Sequence, residues 1–581
     1  MLLVWLSMIC LVPFDLAKID SGYSAQAGFK SLAHHMIQVC KDLLQSSGKA
    51  SLSAAILLGK LLTRKDLISS HLAGYLEWAQ TKLVEGNSPF LLPSRKVVRE
   101  RSCCLSCLTF FECITPFREQ ESLNSSNTLI RKTVLKLVQQ VGIGYLRPRV
   151  ASWRYLRGSR SLTSTLGGHH ETQKPYKQQD VEADEDFQVP ELTEEMIAIL
   201  LTGISDKDSG CRWTAAKGLG RLNQRLPRDL AREVIGFVLD QFSEGIMIDP
   251  SGRRDLSSVN ENTWHGACLT LAELARRGLL PQDLLSRCLE SVMEAHRLDI
   301  RRGSHSVGSN VRDAACYVFW SFARAYPASV FQDHALSLAH QLVVASVFDR
   351  EINVRRASSA AFQEFVGRLQ LFPEGIQVVV KVDYFAVGNV SNAYLRASVQ
   401  VAKFPEYRTA LFGHLYTVCL KHWDINIRRL GALALGSIAG LESEEACTSA
   451  INFLIEQSAS LDLATRHGAI LGIGAICRAA SLDRLLEIGA EPVSSVFCRL
   501  TSNELSSFGS EVLLEGACLA MRDLCRIEWP LSPQARSSFQ RIIDTCLYRK
   551  ENHLQEVAAT CLGEYVLKHP LGPEELEQYP F

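Results

Sequence analysis

The sequence predicts an all-α fold of the HEAT/armadillo type, in which helix pairs stack into a solenoid with an ARM-like superhelical path. The first observation behind this prediction is a pattern that begins at an Asp, places an Arg four residues later and ends in Leu-Gly. One copy comprises Asp208, Arg212, Ala215, Ala216, Leu219 and Gly220, and another comprises Asp424, Arg428, Gly431, Ala432, Leu435 and Gly436. Small and apolar residues at steps of three and four are typical of one face of an α-helix.

The second observation is that this pattern returns at intervals of 38 to 53 residues. The positions in register are Arg212, His265, Arg312, Arg356, Arg428, Arg466, Glu515 and Glu556. One interval, from Arg356 to Arg428, is 72 residues long and leaves room for a degenerate copy at Tyr394–Lys403. Such periods are typical of helix-pair repeats, which must stack on their neighbours to bury an apolar face and mostly bind other macromolecules.

The third observation is the composition. A chain of 581 residues is long for one compact core, whereas a stacked array grows without that limit. Its 62 basic and 62 acidic residues cancel, so no excess positive field attracts a nucleic acid. The 18 cysteines are spread along predicted helices, as at Cys268, Cys316 and Cys518, where a thiol packs as a small hydrophobe. We interpret this as a reducing, cytoplasmic compartment.

The N-terminal stretch Met1–Pro13 is apolar, but it has no basic region and no Ala-x-Ala cleavage site. It is also too short to span a bilayer, which favours a buried repeat helix over a signal peptide. A repeat helix at residue 1 suggests that the array is truncated there. No segment approaches the run of about 18 apolar residues that a membrane-spanning helix needs, so no stable membrane insertion is expected.

Composition shifts divide the chain into six segments. Helix-pair repeats are expected at 1–89 and again, with a basic-aromatic run, at 128–166. The segment 90–127 is Cys-rich and divergent, and 167–190 is a polar and acidic linker. The main HEAT-repeat array is expected at 191–570, interrupted by a surface loop at 249–262, with a tail at 571–581.

The chain offers little that resembles catalytic, cofactor-binding or metal-binding machinery. Ser47–Ala50 matches only three residues of a phosphate loop, and Ala50 stands where Ser or Thr would contact magnesium. Gly472 and Gly474 lack a third glycine and are better explained by close helix packing. Four cysteines, Cys103, Cys104, Cys107 and Cys113, do not form two C-x-x-C pairs, and His169 with His170 lies in the polar linker. We therefore expect no enzyme, no cofactor and no metal.

The arginines are the remaining candidates for function. In a helix-pair array an Arg at this register commonly pairs with the turn between helices, so we interpret Arg212 and Arg312 as structural, together with the small residues Ala216, Ala315, Ala432 and Gly436. Two doublets, Arg355 with Arg356 and Arg428 with Arg429, each contain a spare guanidinium that could bind an acidic partner. Arg154 and Arg157, in the basic-aromatic run, are further partner-binding candidates.

Several long strings resemble one known family. These strings are Thr263–Leu280, Ser306–Tyr326, Phe348–Ile376 and Asp383–Tyr407, with weaker similarity at Trp5–Asp15, Lys132–Leu162 and Arg466–Ala469. In order and content they resemble the central region of the tubulin-folding cofactor D (tubulin-specific chaperone D) family. Family members are longer, and neither the Cys-rich stretch nor the loop at 249–262 matches the family pattern, so the resemblance is to a partial or shortened form.

The resemblance implies a HEAT-repeat chaperone that binds β-tubulin and helps to assemble or disassemble the αβ-tubulin heterodimer. It implies tubulin-folding cofactors C and E and a small Arf-like GTPase as partners, and stimulation of GTP hydrolysis by tubulin. It also implies association with the cytoskeleton, centrosomes and cell junctions. The alternative is a generic HEAT-repeat protein-protein scaffold that is unrelated to tubulin.

Overall fold

A computed structural model describes residues 2–19, 31–45, 49–84, 126–147, 188–248, 252, 254–479, 490–507, 509–570 and 572. The chain divides into two compact units. The first comprises Met1–Ile300 with Asn310–Ala325, and the second comprises Arg301–Ser309 with Tyr326–Phe581.

The N-terminal part of the first unit is a small group of helices around an apolar core. The helices are α1 (Leu2–Ile9), α2 (Leu32–Leu44), α3 (Lys49–Leu62) and α4 (Lys65–Val84). The core between them is built from fully buried leucines of α3, with Cys40, Leu44 and Tyr75 from the neighbouring helices. Arg64 ties this group together, because its guanidinium donates to the carbonyls of Cys10 and Val12 and pairs with Asp66 at 2.9 Å.

The rest of the first unit consists of successive helix pairs. The helices are α5 (Thr128–Tyr145), α6 (Glu191–Gly203), α7 (Ser209–Asn223), α8 (Arg228–Asp240), α9 (Glu261–Arg276), α10 (Leu285–Ala295) and α11 (Ser309–Ala325). Helices α5, α7 and α9 lie side by side, and α6 packs against both α5 and α7. Two short antiparallel strands, β1 (Met247–Ile248) and β2 (Arg254–Asp255), join α8 to α9.

The second unit also consists of successive helices that pack side by side. After the strands β3 (Ile300–Arg302) and β4 (His305–Val307), its helices are α12 (Ala335–Phe348), α13 (Ile352–Leu369), α14 (Gly375–Lys381), α15 (Val390–Asn392), α16 (Ser398–Val401), α17 (Pro405–Thr417), α18 (Ile425–Ala439), α19 (Glu444–Gln457), α20 (Leu463–Ala479), α21 (Ala490–Cys498), α22 (Ser502–Ser506), α23 (Glu511–Arg526), α24 (Pro533–Leu547) and α25 (Asn552–Lys568). A π-helical turn, Ala393–Ala397, makes α15 and α16 continuous. Helices α18, α20, α23 and α25 pack successively against one another.

Local sequence determines where these helices begin and end. The Asp that opens each motif copy is an N-cap: Asp208 accepts from the backbone N–H of Gly210 at 2.8 Å, and Asp424 accepts from that of Asn426 at 2.9 Å. Such a side chain satisfies a backbone donor that has no partner within the helix. Helix α9 ends at Arg276, and Gly278 follows its C-cap residue with a φ of +69°, which is readily adopted only by a residue without a Cβ.

The predicted all-α fold of paired helices is confirmed. Of the degenerate copy expected at Tyr394–Lys403, the part up to Val401 is helical and includes the π-helical turn. The loop expected at 249–262 contains strand β2, and α9 already begins at Glu261. No described helix is long and apolar enough to cross a membrane.

The helix expected at the N-terminus is present, but it is not buried all round. Helix α1 packs against α3 and leaves Leu2, Trp5 and Met8 more than half exposed. Most of the predicted Cys-rich segment at 90–127 and of the polar linker at 167–190 lies outside the described residues.

Candidate functional site

A buried arginine recurs as the fourth residue of several helices. Arg212, Arg355 and Arg428 are each no more than 4% exposed. In each of them one terminal nitrogen, Nη1, donates to two consecutive backbone carbonyls of the preceding turn, at distances between 2.6 and 3.1 Å. The guanidinium therefore holds the turn against the first turn of the helix that follows.

The same arginines reach into the next repeat through Nε. Arg212 Nε donates to His265 Nδ1 at 2.8 Å, and Arg428 Nε donates to His467 Nδ1 at 2.9 Å. Burial, reinforced by the adjacent guanidinium, lowers the pKa of His265 to about 4 and that of His467 to about 3. Both imidazoles are therefore neutral acceptors at neutral pH, as a bond from a cationic donor requires.

Where the next repeat supplies no histidine, the arginine uses backbone. Arg355 Nε donates to the carbonyl of Val387 at 2.7 Å, and Nη2 donates to that of Gly388 at 3.1 Å. Arg312 instead binds the segment that precedes its own helix, where Nη1 donates to the carbonyl of Leu298 at 2.6 Å. The Nε contacts of Arg212, Arg355 and Arg428 cross-link neighbouring repeats, so they act on the packing of the array.

One arginine of this series was missed in the sequence. Arg131 is the fourth residue of α5, is 2% exposed, and holds the Asp206 carboxylate through Nε at 2.8 Å and Nη2 at 3.1 Å. Helix α5 lacks the Leu-Gly ending by which the other copies are recognised, but its N-cap Asn127 four residues ahead is a usable signal. The predicted position of the repeat arginine was also off by one residue in α13. Arg355 rather than Arg356 is the fourth residue of this helix, and Arg355 makes the contacts to the next repeat.

The predicted partner-binding arginines fall into two groups. Arg355 and Arg428 are buried by the contacts just described and present no surface to a partner. Arg356 and Arg429 are partly exposed, but the expectation that they lack intramolecular contacts is wrong. The Arg356 guanidinium lies 3.9 Å from the centre of the Tyr384 ring, and Arg429 Nη2 donates to both carboxylate oxygens of Glu515.

Arg154 and Arg157 lie outside the described residues. Their predicted role in partner binding remains a prediction.

The small residues of the motif lie where neighbouring helices meet. Ala216 and Ala315 are fully buried, and Ala432 is 6% exposed. A Cβ on Gly436 would lie 2.9 Å from the carbonyl oxygen of Ala475 in α20, and one on Gly220 would lie 3.0 Å from Nη1 of Arg277, the C-cap residue of α9. The Gly of the Leu-Gly pair therefore makes room for the next repeat.

Close helix packing, predicted for Gly472 and Gly474, is confirmed. A Cβ on Gly472 would lie 2.4 Å from Leu420 Cδ1, and one on Gly474 would lie 2.7 Å from Ala520 Cα. Cys268, Cys316 and Cys518 are buried within helices as expected. Within the described ranges no group of three His, Cys, Asp or Glu side chains could hold a metal ion. The four-cysteine cluster, Gly48, His169 and His170 lie outside those ranges.

The first unit also carries an exposed face that the sequence did not suggest. We call it the aromatic–cation face and define it by Trp213, Lys217 and Arg221 of α7, Arg276 of α9, and Tyr317, Trp320 and Arg324 of α11. The Tyr317 ring stacks on Trp213 at 5.5 Å and on Trp320 at 6.0 Å between centroids. Lys217 Nζ lies 4.7 Å from the centre of the Trp213 ring, and the Arg324 guanidinium lies 4.4 Å from that of Trp320.

Comparison with known proteins assigns the chain to a family. A family model described as "Tubulin-specific chaperone D-like, ARM repeats" matches residues 129–376, and a second, "Tubulin-specific chaperone D-like, ARM repeat", matches residues 1–83. Together the two models match more than half of the chain. The chain belongs to the tubulin-specific chaperone D-like family.

Two curated relatives carry corresponding names. Tubulin-specific chaperone D of Dictyostelium discoideum is 29% identical over 91% of this chain and 38% of its own length. Tubulin-folding cofactor D of Schizosaccharomyces pombe is 28% identical over 75% of this chain and 38% of its own length. The matches therefore span less than half the length of either relative.

A solved structure of the karyopherin Kap121p bound to Nup53p aligns with 95% of this chain and 47% of that chain. The sequence identity is 13% and the TM-score is 0.35. At this TM-score the similarity does not bear on function.

Proposed function

We propose that this chain is a tubulin-binding part of a tubulin-folding chaperone. The observation that carries the proposal is the match of two tubulin-specific chaperone D-like models to 1–83 and 129–376. By this proposal the chain binds β-tubulin and helps to assemble or disassemble the αβ heterodimer in the cytoplasm. Tubulin-folding cofactors C and E and a small Arf-like GTPase are the proposed partners, and cytoskeletal association would follow from this binding.

The physical basis of the proposal is a set of stacked helices whose register is held from within. Buried arginines such as Arg212 and Arg428 join each turn to the next repeat, so that exposed residues of successive helices keep their relative positions. A surface built in this way gains affinity from many modest contacts instead of one deep pocket.

Binding a folding intermediate requires no catalytic residue in the chaperone. Stimulation of GTP hydrolysis would take place in the bound tubulin or the small GTPase. The chaperone would act by binding one conformation of its client better than another, which shifts the population towards that conformation. No arginine of this chain is assigned to the chemical step.

Two arginines of the second unit are the retained partner-binding candidates there. The side chain of Arg429 is 38% exposed although it contacts Glu515, and Arg356 is half-buried over Tyr384. An acidic partner could take over either guanidinium, because Arg binds carboxylates through two parallel hydrogen bonds. We propose that both contribute to client capture.

The test is capture of purified αβ-tubulin by the tagged chain. We expect the wild-type chain to retain tubulin, and Arg356→Gln with Arg429→Gln to weaken retention severalfold. The matched control is Arg228→Gln with Arg297→Gln, which alters two exposed arginines of the first unit. Thermal melting followed by circular dichroism verifies that each variant is folded.

The outcomes separate the protein's function from the residue assignment. If the folded wild-type chain retains no tubulin, the proposed function is wrong for this chain. If it instead retains unrelated proteins from a lysate, a generic HEAT-repeat scaffold describes it better. If both double variants retain tubulin as well as wild type, only the roles of Arg356 and Arg429 are wrong.

A further inference from the structure

The β3–β4 hairpin carries an exposed serine behind two arginines. Strand β3 ends at Arg302, strand β4 begins at His305, and Gly303 and Ser304 form the turn between them. Gly303 has a φ of +64°, which two-residue hairpin turns of this kind require and which glycine adopts readily. Every residue from Arg301 to His305 is exposed, so the whole turn is accessible from solvent.

Arg302 and Ser304 are not committed to contacts within the protein. Neither has a hydrogen-bond or ion-pair partner in the part of the chain that the structure describes. Arg301 Nε donates to the carbonyl of Gly303 at 3.2 Å, which keeps this guanidinium beside the turn. The hydroxyl and the guanidinium of Arg302 are therefore available to a protein that approaches the hairpin.

Two arginines, one spacer and a serine form the pattern that basophilic serine kinases select. Acidic pockets of such kinases bind guanidinium groups at the third and second positions before the serine, and Arg301 and Arg302 hold those positions relative to Ser304. These kinases bind the substrate segment in an extended conformation. A hairpin with strands of three residues is only marginally stable by itself, so its residues can leave the sheet at little cost and enter a kinase cleft.

The chain contains the same pattern a second time, at a place that a kinase cannot reach. Arg355, Arg356, Ala357 and Ser358 repeat it within α13. Ser358 is fully buried, and Arg355 is bound to carbonyls of the preceding turn and of the next repeat. Exposure therefore distinguishes two copies whose local sequences are alike.

We propose that Ser304 is a phosphorylation site for a basophilic serine kinase. In the transfer, Ser304 Oγ forms a bond to the γ-phosphorus of ATP held by the kinase, while the bond from that phosphorus to the β,γ-bridging oxygen breaks and ADP leaves. The hydroxyl proton passes to the catalytic aspartate of the kinase. Phosphorylation of Ser304 does not require tubulin binding, so it goes beyond the proposed function.

A phosphate on Ser304 would change the charge near the start of α20. Burial acts to raise the pKa of Asp462, the residue before this helix, but hydrogen bonds from Thr465 and the nearby cation Arg301 lower it below its usual value. Phosphoserine carries a charge of about −1.5 to −2 at neutral pH. On Ser304 this charge would compete with Asp462 for the Arg301 guanidinium, so the modification acts on the electrostatic attraction between the hairpin and α20.

The experiment treats the full, folded chain with Mg-ATP and the catalytic subunit of cyclic-AMP-dependent protein kinase, which selects this pattern. Mass spectrometry of chymotryptic peptides locates the phosphate and gives the initial rate at each serine. Ser304→Ala removes the acceptor, whereas Arg301→Gln/Arg302→Gln removes both recognition charges and keeps the serine. Arg228→Gln/Arg297→Gln, which changes two exposed arginines outside the pattern, is the matched control.

Two synthetic peptides, of residues 296–310 and 350–364, provide the comparison without the fold. Both contain the pattern, so the kinase should phosphorylate both. In the folded chain we expect phosphate at Ser304 and at least about tenfold slower transfer to Ser358, since a buried serine reacts only after local opening. Arg301→Gln/Arg302→Gln should lower the initial rate at Ser304 at least about tenfold, and the control should leave it within about twofold.

Four results would overturn the inference. The first is that the peptide of residues 296–310 is not phosphorylated, and the second is that this peptide is phosphorylated whereas Ser304 of the folded chain is not. The third is that the chymotryptic peptide spanning position 304 still gains phosphate in Ser304→Ala, which would place the modification on a neighbouring residue. The fourth is an unchanged rate in Arg301→Gln/Arg302→Gln. Circular dichroism melting verifies that wild type and all variants are folded.

Discussion

Replacing Arg428 by Met tests whether the buried arginines that join neighbouring repeats stabilise the second unit. Arg428 is 4% exposed and donates to His467 Nδ1 at 2.9 Å, to the carbonyl of His422 at 2.7 Å and to that of Trp423 at 3.0 Å. Met has a similar length and is apolar, so the substitution removes the donors with little loss of volume. The control is Arg526→Met, whose guanidinium is 45% exposed and pairs with Glu564 at 2.9 Å.

The magnitude follows from the bonds that are lost. A hydrogen bond from a charged donor contributes roughly 1.5 kcal/mol or more, and leaving its buried acceptors unpaired adds a cost. The gain from no longer burying a cation offsets part of this loss. For three bonds we expect a net loss of about 3 kcal/mol for Arg428→Met, and at most about 1 kcal/mol for the half-exposed pair at Arg526.

Hydrogen exchange read by mass spectrometry measures this effect locally, which matters because a chain of two units need not unfold in one step. Exchange in Ile425–Ala439 should accelerate about 100-fold in Arg428→Met, since about 1.4 kcal/mol corresponds to tenfold. Exchange in Glu511–Arg526 should accelerate no more than about fivefold in Arg526→Met. Equal acceleration in the two variants would refute the view that the buried arginine is the stronger cross-link.

Three further predictions concern pH, packing and thiol chemistry. His265 and His467 have folded pKa values of about 4 and about 3, against 6.5 in the unfolded chain, so the unfolded chain binds more protons below pH 6.5. The free energy of unfolding should therefore fall by about 1.4 kcal/mol per pH unit per histidine as the pH is lowered to about 4. Urea titrations across this range should find that the free energy of unfolding depends less on pH in His467→Gln than in wild type. Gly474→Ala should destabilise the second unit by about 1–3 kcal/mol, because the added Cβ would meet the Ala520 backbone, whereas Gly413→Ala, with open space around it, should be neutral or stabilising. A larger decrease in the urea concentration at the unfolding midpoint for Gly413→Ala than for Gly474→Ala would contradict this. Among the described cysteines Cys498 is the one that is not buried, so peptide mapping after brief iodoacetamide treatment should find it alkylated before the other described cysteines.

The repeat pattern predicted more of the structure than the individual residue assignments did. Helix boundaries could be read from the sequence because their causes are local: an Asp cap, apolar spacing and a glycine at the end. The register was right for Arg212 and Arg428 and off by one at Arg356, because a doublet offers two candidates for one position. Only the neighbouring chain, where Val387 and Gly388 present carbonyls to Arg355, distinguishes them.

The dependence on distant residues also explains why only some of the predicted partner-binding arginines present a surface to a partner. Whether an arginine is spare depends on what a helix many residues away places beside it, as Glu515 does for Arg429. Arg131 was missed because its partner, Asp206, lies 75 residues further along the chain and its helix lacks the Leu-Gly ending.

The sequence by itself determined the fold class, the family and the helical elements of this protein, since periodicity, caps and family strings are all contained in neighbouring residues. Tertiary structure alone decided which cations are buried and which face outward. It also assembled the aromatic–cation face, whose members come from Trp213 to Arg324 and share no motif. Exposure and charge at a surface are sums over residues that packing brings together, and no local pattern records those sums.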